Sequence, residues 1–162
     1  MEFLKRLKDR NPIYPEQYRE SIIDRFSNVG KTDETTVYKA GKNFHRVYEI
    51  YMYALALGLR LNKRLPIVEG TKTTTFIEIR SWRPDDIVDF LLAGLIARSD
   101  INLNAIEDME EKEVEDEITK LKKILEEYAH GGFEIIQKVI QENPYRFDHD
   151  DKVFIELLDE LV

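Results

Sequence analysis

The sequence contains no cysteine. That excludes disulfides and thiolate metal sites, and it suits a reducing compartment. Histidine is scarce, with only His45, His130 and His149. No apolar run is long. The most apolar stretch, Ile50 to Leu59, covers about ten residues, where a bilayer span needs roughly twenty. The opening residues, Met1-Glu2-Phe3-Leu4-Lys5, lack the apolar segment of a secretion leader. These absences point to a soluble, cytoplasmic protein with no membrane association.

What is present is charge and amphipathic pattern. Hydrophobic residues make up 43% of the 162-residue chain and charged residues 35%. The length fits one domain, 1–162, with a core that needs no staples. Such a charge content needs long solvated faces, which amphipathic helices supply. The charge is split along the chain. Residues 1–83 carry 16 Lys/Arg against 10 Asp/Glu, whereas residues 84–162 carry 8 against 22. The halves are therefore +6 and −14. An opposed pair of this kind suits a protein that meets a partner or a copy of itself.

The periodicity predicts an all-α fold of six or seven helices. Residues 1–10 read as a short basic helix or an ordered arm broken by Asn11-Pro12, with 1–14 as a candidate N-terminal arm. Tyr18, Ile22 and Phe26 recur every four residues, so 15–27 reads as helix beginning at Pro15. Residues 30–41 are polar and read as a connector. The segment 42–62 is apolar nearly all round, as expected of a buried or shared helix. Its end is marked by Arg60, Asn62, Lys63 and Arg64, and Pro66 forbids much continuation. Residues 74–80 alternate weakly and predict a short strand, paired across a dimer or near Thr36–Lys39. Pro84, Asp85 and Asp86 open a second apolar helix, 84–98. Asn102 or Asn104 is suited to cap a short helix containing Ile106 and Met109. From about 112, Val114, Ile118, Leu121, Leu125 and Tyr128 form one stripe. Gly131-Gly132 are expected to end or kink that helix, with another from Phe133 to Gln141. A last helix is expected over 150–161.

Little of this points to chemistry. His45 and Glu49 are one helical turn apart, but two ligands do not make a metal site. The run Asp148-His149-Asp150-Asp151 suits the start of the last helix. Glu78-Ile79-Arg80 has the acidic-x-basic form of some metal-dependent nuclease sites, with Glu69 as the nearby acid. No phosphate loop and no nucleophile–base order are present. No catalytic residue, metal or cofactor is assigned. The testable candidates are contact residues. Arg60, Lys63, Arg64, Lys72, Arg80 and Arg83 lie between the two apolar helices and are suited to meet phosphate or an acidic face. Tyr48, Tyr51 and Tyr53 spread around the 42–62 helix and form a candidate interface. The acidic counterpart is the 107–117 segment.

Two blocks carry a resemblance. One is Val47–Pro66, with Ala-Leu-Gly followed by a basic turn and proline. The other is Leu125–Ile136, with Glu-Tyr-Ala-His-Gly-Gly. Together they resemble small proteins associated with bacterial Dnd systems, which carry out DNA phosphorothioation. Their order is similar to that of DndE, the small helical member of that machinery. The likeness spans about 42–140, and His130 departs from it where asparagine is expected. It implies an accessory role in a DNA-modification or phage-defence system, and it supplies no catalytic residue. The resulting expectation is a non-enzymatic, self-associating interaction protein with protein partners in such a complex. The alternatives are a nucleic-acid-binding module using the basic 60–83 region and a metal-dependent nuclease.

Overall fold

The computed structural model describes residues 1–27, 43–149 and 152–161. It is mainly helical, with eight α-helices and one two-stranded sheet among those residues. The helices are α1 (Glu2–Lys8), α2 (Asp24–Phe26), α3 (Val47–Arg60), α4 (Asp85–Ala97), α5 (Leu103–Ile106), α6 (Glu111–Glu142), α7 (Arg146–His149) and α8 (Val153–Glu160). Strands β1 (Ile13–Pro15) and β2 (Thr73–Thr75) pair antiparallel, with Tyr14 opposite Thr74. No described helix is long and apolar enough to cross a membrane.

The apolar segments expected at 42–62 and 84–98 form the two shorter core helices, α3 and α4. The organising element is α6. Its 32 residues make a rod of about 48 Å. It begins with a capping box in which Glu113 accepts from the Glu110 N–H. It continues unbroken through Gly131 and Gly132, which do not end it, and the separate helix expected from Phe133 is its continuation. Two mid-helix glycines cost about 1 kcal/mol each in propensity. Both are buried, Gly132 against the α3 backbone at Ala54 and Gly131 against the backbone of Lys63 just after α3, so tight packing replaces what the missing side chains forgo.

Other expectations shift by a few residues for local reasons. Pro15 closes β1 instead of opening a helix. The following turn is a π-helix, Arg19–Ile23, running into α2. Tyr18, Ile22 and Phe26 are all buried, as their spacing implies. The strand expected at 74–80 is only Thr73–Thr75. Phe76 and Ile79 both face the core, a spacing of three that alternation cannot satisfy. The chain there turns into a 3₁₀ helix, Ile79–Ser81. Its strand partner is Ile13–Pro15; the whole 30–41 connector, Thr36–Lys39 included, lies outside the described residues. Of the two readings of the N-terminal segment the structure has the short basic helix, α1, with Phe3 and Leu7 buried in the core. Asn102 caps α5 by accepting from the Asn104 N–H at 3.1 Å. At the last helix the N-cap is Lys152, and Asp150 and Asp151 lie outside the described residues.

An aromatic cluster fills the space between α3, α6 and the sheet. Tyr51 stacks on Phe76 with ring centroids 4.9 Å apart. Trp82, Tyr14 and Phe133 surround the pair at 5.3–6.4 Å from Tyr51. Such pairs contribute about 0.5–1.5 kcal/mol each beyond their burial.

Candidate interaction surface

The two sequence blocks that carry the resemblance are the two sides of one junction. Helix α3 ends in a Schellman motif. Asn62 takes φ 50°, and the Lys63 N–H donates to the Gly58 carbonyl at 2.8 Å. The turn is then fastened to α6. Leu65 N–H donates to the Glu127 carbonyl at 3.0 Å. His130 Nδ1 faces the Leu65 carbonyl at 3.2 Å, so that nitrogen carries the proton. Partial burial, the leading cause, holds the His130 pKa below the usual histidine value. Three glycines permit the close approach. A Cβ on Gly58 would stand 1.9 Å from the Tyr128 carbonyl oxygen, and one on Gly131 would stand 1.9 Å from that of Lys63.

The basic candidates are drawn into this junction and its surroundings by carboxylates. Arg64 Nε donates to Glu127 at 3.2 Å, and Lys63 Nζ lies 3.1 Å from Glu134. Lys72 pairs with Glu16 at 3.2 Å, and Arg83 with Asp85 at 3.2 Å. Arg80 bridges Glu78 and Asp9 at 3.0 and 3.3 Å. Arg60 is exposed and has no ionic partner among the described residues. The six residues therefore do not form a free cationic patch. Two are tied to α6, one to Glu16 just after β1, and two lie near Asp9 and the start of α4.

The same holds for the charge halves. Arg6 contacts Glu111 at 2.8 Å and Glu115 at 2.7 Å, and Arg10 also reaches Glu115. Lys8 pairs with Asp89. Lys120 binds Asp100 at 2.7 Å, and that hydrogen bond lowers the Asp100 pKa and raises that of Lys120. The acidic 107–117 segment thus meets the basic N-terminal helix of its own chain.

The tyrosines divide. Tyr51 is fully buried, and its hydroxyl donates to the Ile13 carbonyl at 2.9 Å. It is a core residue and is not available to a partner. Burial, the largest cause, pushes its pKa well up. Tyr53 is half-buried and donates to the Phe154 carbonyl at 2.6 Å. Tyr48 is also half-buried, packed against the core. Glu49, weighed above as a partner for His45, accepts from the His45 and Arg46 N–H groups at 2.8 and 3.2 Å and caps α3. Glu78 lies at the start of the 3₁₀ turn, not on a strand. No group of three or more His, Asp or Glu among the described residues is placed to hold a metal.

Sequence reasoning passed over two features. Glu126 and Glu127 are buried neighbours on α6. Glu126 Oε2 accepts from the Ile13 N–H at 2.7 Å and from Lys122 at 2.9 Å, and so ties β1 to the long helix. The second feature is apolar surface. Phe90 on α4 is 77% exposed and Met1 is 72% exposed. Beside them α1 and α4 form an open apolar groove of about 720 Å³, lined by Met1, Leu4, Leu92, Ala93, Ile96 and Ala97 among others. The period of α4 hides this, because its apolar residues run round more than the core face.

A family model described as DNA sulphur modification system-associated protein 4 matches residues 31–160. No curated protein and no solved structure shows significant similarity to the chain.

Proposed function

We propose that this chain, which belongs to the family of DNA sulphur modification system-associated protein 4, is a non-enzymatic accessory protein. It acts in the cytoplasm within a DNA-modification or phage-defence complex. It works by contact, with other proteins of the system and with copies of itself. The observation that supports this reading is the apolar surface of α4 and the adjoining groove. Exposed aromatic side chains beside an apolar groove mark contact sites on soluble proteins. The cations suited to meet DNA are mostly engaged by carboxylates of the same chain.

The internal pairing of the charge halves also changes the expected salt response. Association driven by opposed charges weakens with salt. Association through apolar surface does not. Light scattering of the full chain at low and high salt, across a wide concentration range, tests the reading. The expected result is a concentration-dependent dimer or larger species that persists at high salt. A monomer throughout, with no co-purification of other proteins of the modification system, would overturn it. The nucleic-acid alternative keeps one foothold in Arg60, which has no ionic partner among the described residues. It predicts a DNA mobility shift at low salt that is abolished by Arg60→Glu with Arg64→Glu.

A further inference from the structure

We propose that the occupant of the α1–α4 groove is Phe90 of a second copy, delivered by antiparallel pairing of α4 with its symmetry mate. This deepens the reading that the chain self-associates, and rests on it.

Asp86, Phe90, Ala93 and Ala97 follow one another at four, three and four residues, so they share one face of α4. All four are exposed. The face is uneven. Its N-terminal half carries the large Phe90, and its C-terminal half carries only Ala93 and Ala97. A helix with a bulky half and a small half is complementary to its own reverse. A two-fold axis between positions 90 and 93 sets each Phe90 over the Ala93 of the other copy. Ala93 and Ala97 line the groove with Met1 and Leu4 of α1, so the ring enters a mainly apolar slot whose charged lining is Lys5 and the paired Lys8 and Asp89. Such a contact is isologous and closes on itself.

Two further observations favour a copy of this chain over another occupant. The first is charge. Asp85 and Asp86 stand at the start of α4, and Arg98 is exposed at its end. Antiparallel pairing puts the acids of each copy beside the other's Arg98 and opposes the two helix dipoles favourably. The second is Gly94. Gly58, Gly131 and Gly132 are required by backbone contacts within the chain. At Gly94 a Cβ would meet only the tip of Leu59, at 4.0 Å. Nothing inside the chain demands glycine there, and its absent side chain leaves space beside Ala93 for an incoming ring. A contact built on one helix pair is small, so the dimer is reversible, with a Kd on the order of micromolar.

The chain has no cysteine, which makes engineered disulfides a clean test. Residues at position 93 of the two copies come within disulfide reach near the axis. Ala93→Cys is expected to give a covalent dimer under mild oxidation. Ile155→Cys, on the exposed face of α8, is the control and is expected to stay monomeric on denaturing gels. Light scattering of Phe90→Arg is expected to show dimerisation weakened about tenfold or more. Because Phe90 is exposed, unfolding midpoints of variant and parent should match at concentrations well below the dimer Kd, where association stabilises neither. A dimeric parent whose mass is unchanged by Phe90→Arg overturns this surface and leaves self-association standing. Ala93→Cys linking no faster than Ile155→Cys does the same. A parent that is monomeric at every concentration overturns both, including the case where Phe90→Arg abolishes binding to a different protein.

Discussion

Gly132 packs so tightly on α3 that a Cβ at this position would stand 1.7 Å from the Ala54 carbonyl oxygen. The obstacle is backbone, which cannot rotate aside. With Gly58 and Gly131, the residue sets how closely α3 and α6 approach. Gly132→Ala is therefore expected to destabilise the fold by about 3 kcal/mol. For a chain of this size that is a fall in Tm of about 10 °C. Thermal unfolding followed by circular dichroism checks it. An unchanged midpoint would mean that the crossing is looser than described.

Glu127 is held by Arg64. Its side chain is 7% exposed, whereas that of Arg64 is 43% exposed. Arg64→Ala leaves a buried carboxylate without its cation and is expected to cost about 1–2 kcal/mol. Adding Glu127→Gln to Arg64→Ala should recover part of that loss, because the stranded charge is gone. Urea unfolding of the four proteins in a double-mutant cycle measures the coupling. Additive losses would show that the pair is not coupled.

Tyr51 and Tyr48 belong to the same helix but differ in surroundings. Tyr51→Ala removes the centre of the aromatic cluster and is expected to cost about 3–5 kcal/mol. Tyr51→Phe loses only the bond to the Ile13 carbonyl, about 1 kcal/mol. Tyr48→Ala, at a half-buried site, should cost less than Tyr51→Ala. Denaturant midpoints rank the three. Equal losses for Tyr48→Ala and Tyr51→Ala would contradict the burial described.

His130 gives the fold a pH dependence. Burial lowers its folded pKa below the unfolded value of 6.5. The neutral ring fits the folded state, so as pH falls from the unfolded pKa toward the folded one the unfolded chain takes up the proton first. Stability is lost over that window and is intact above it. In His130→Gln this component should vanish. Comparing unfolding midpoints of parent and variant at neutral and mildly acidic pH isolates it from the carboxylates. A parallel decline in both would assign the acid sensitivity elsewhere.

Much of the architecture was legible along the chain. The stripe from Val114 to Tyr128, the apolar run after Val47 and the proline-led start of α4 are local patterns, and local hydrogen bonding turns them into helices. The pairs of blocks behind the family resemblance were visible too. Their meaning was not, since nothing local distinguishes a glycine pair that breaks a helix from one that admits a neighbour. The candidate basic residues were identifiable as cations, but their carboxylate partners lie as far away as 71 residues, as Arg80 and Asp9 show.

By itself, then, the chain's residue pattern determined the helical class, the approximate spans of α3, α4 and α6, and the absence of thiol chemistry. Each of these depends on residue type and short-range periodicity. Only the tertiary structure decided that α6 is continuous through Gly131-Gly132. It also decided that Tyr51 is core, that cations of the basic half pair with carboxylates of the acidic half, and that Phe90 is left outside. Those outcomes depend on which distant segment comes to lie alongside, and packing, desolvation and charge pairing are settled only when both sides are present.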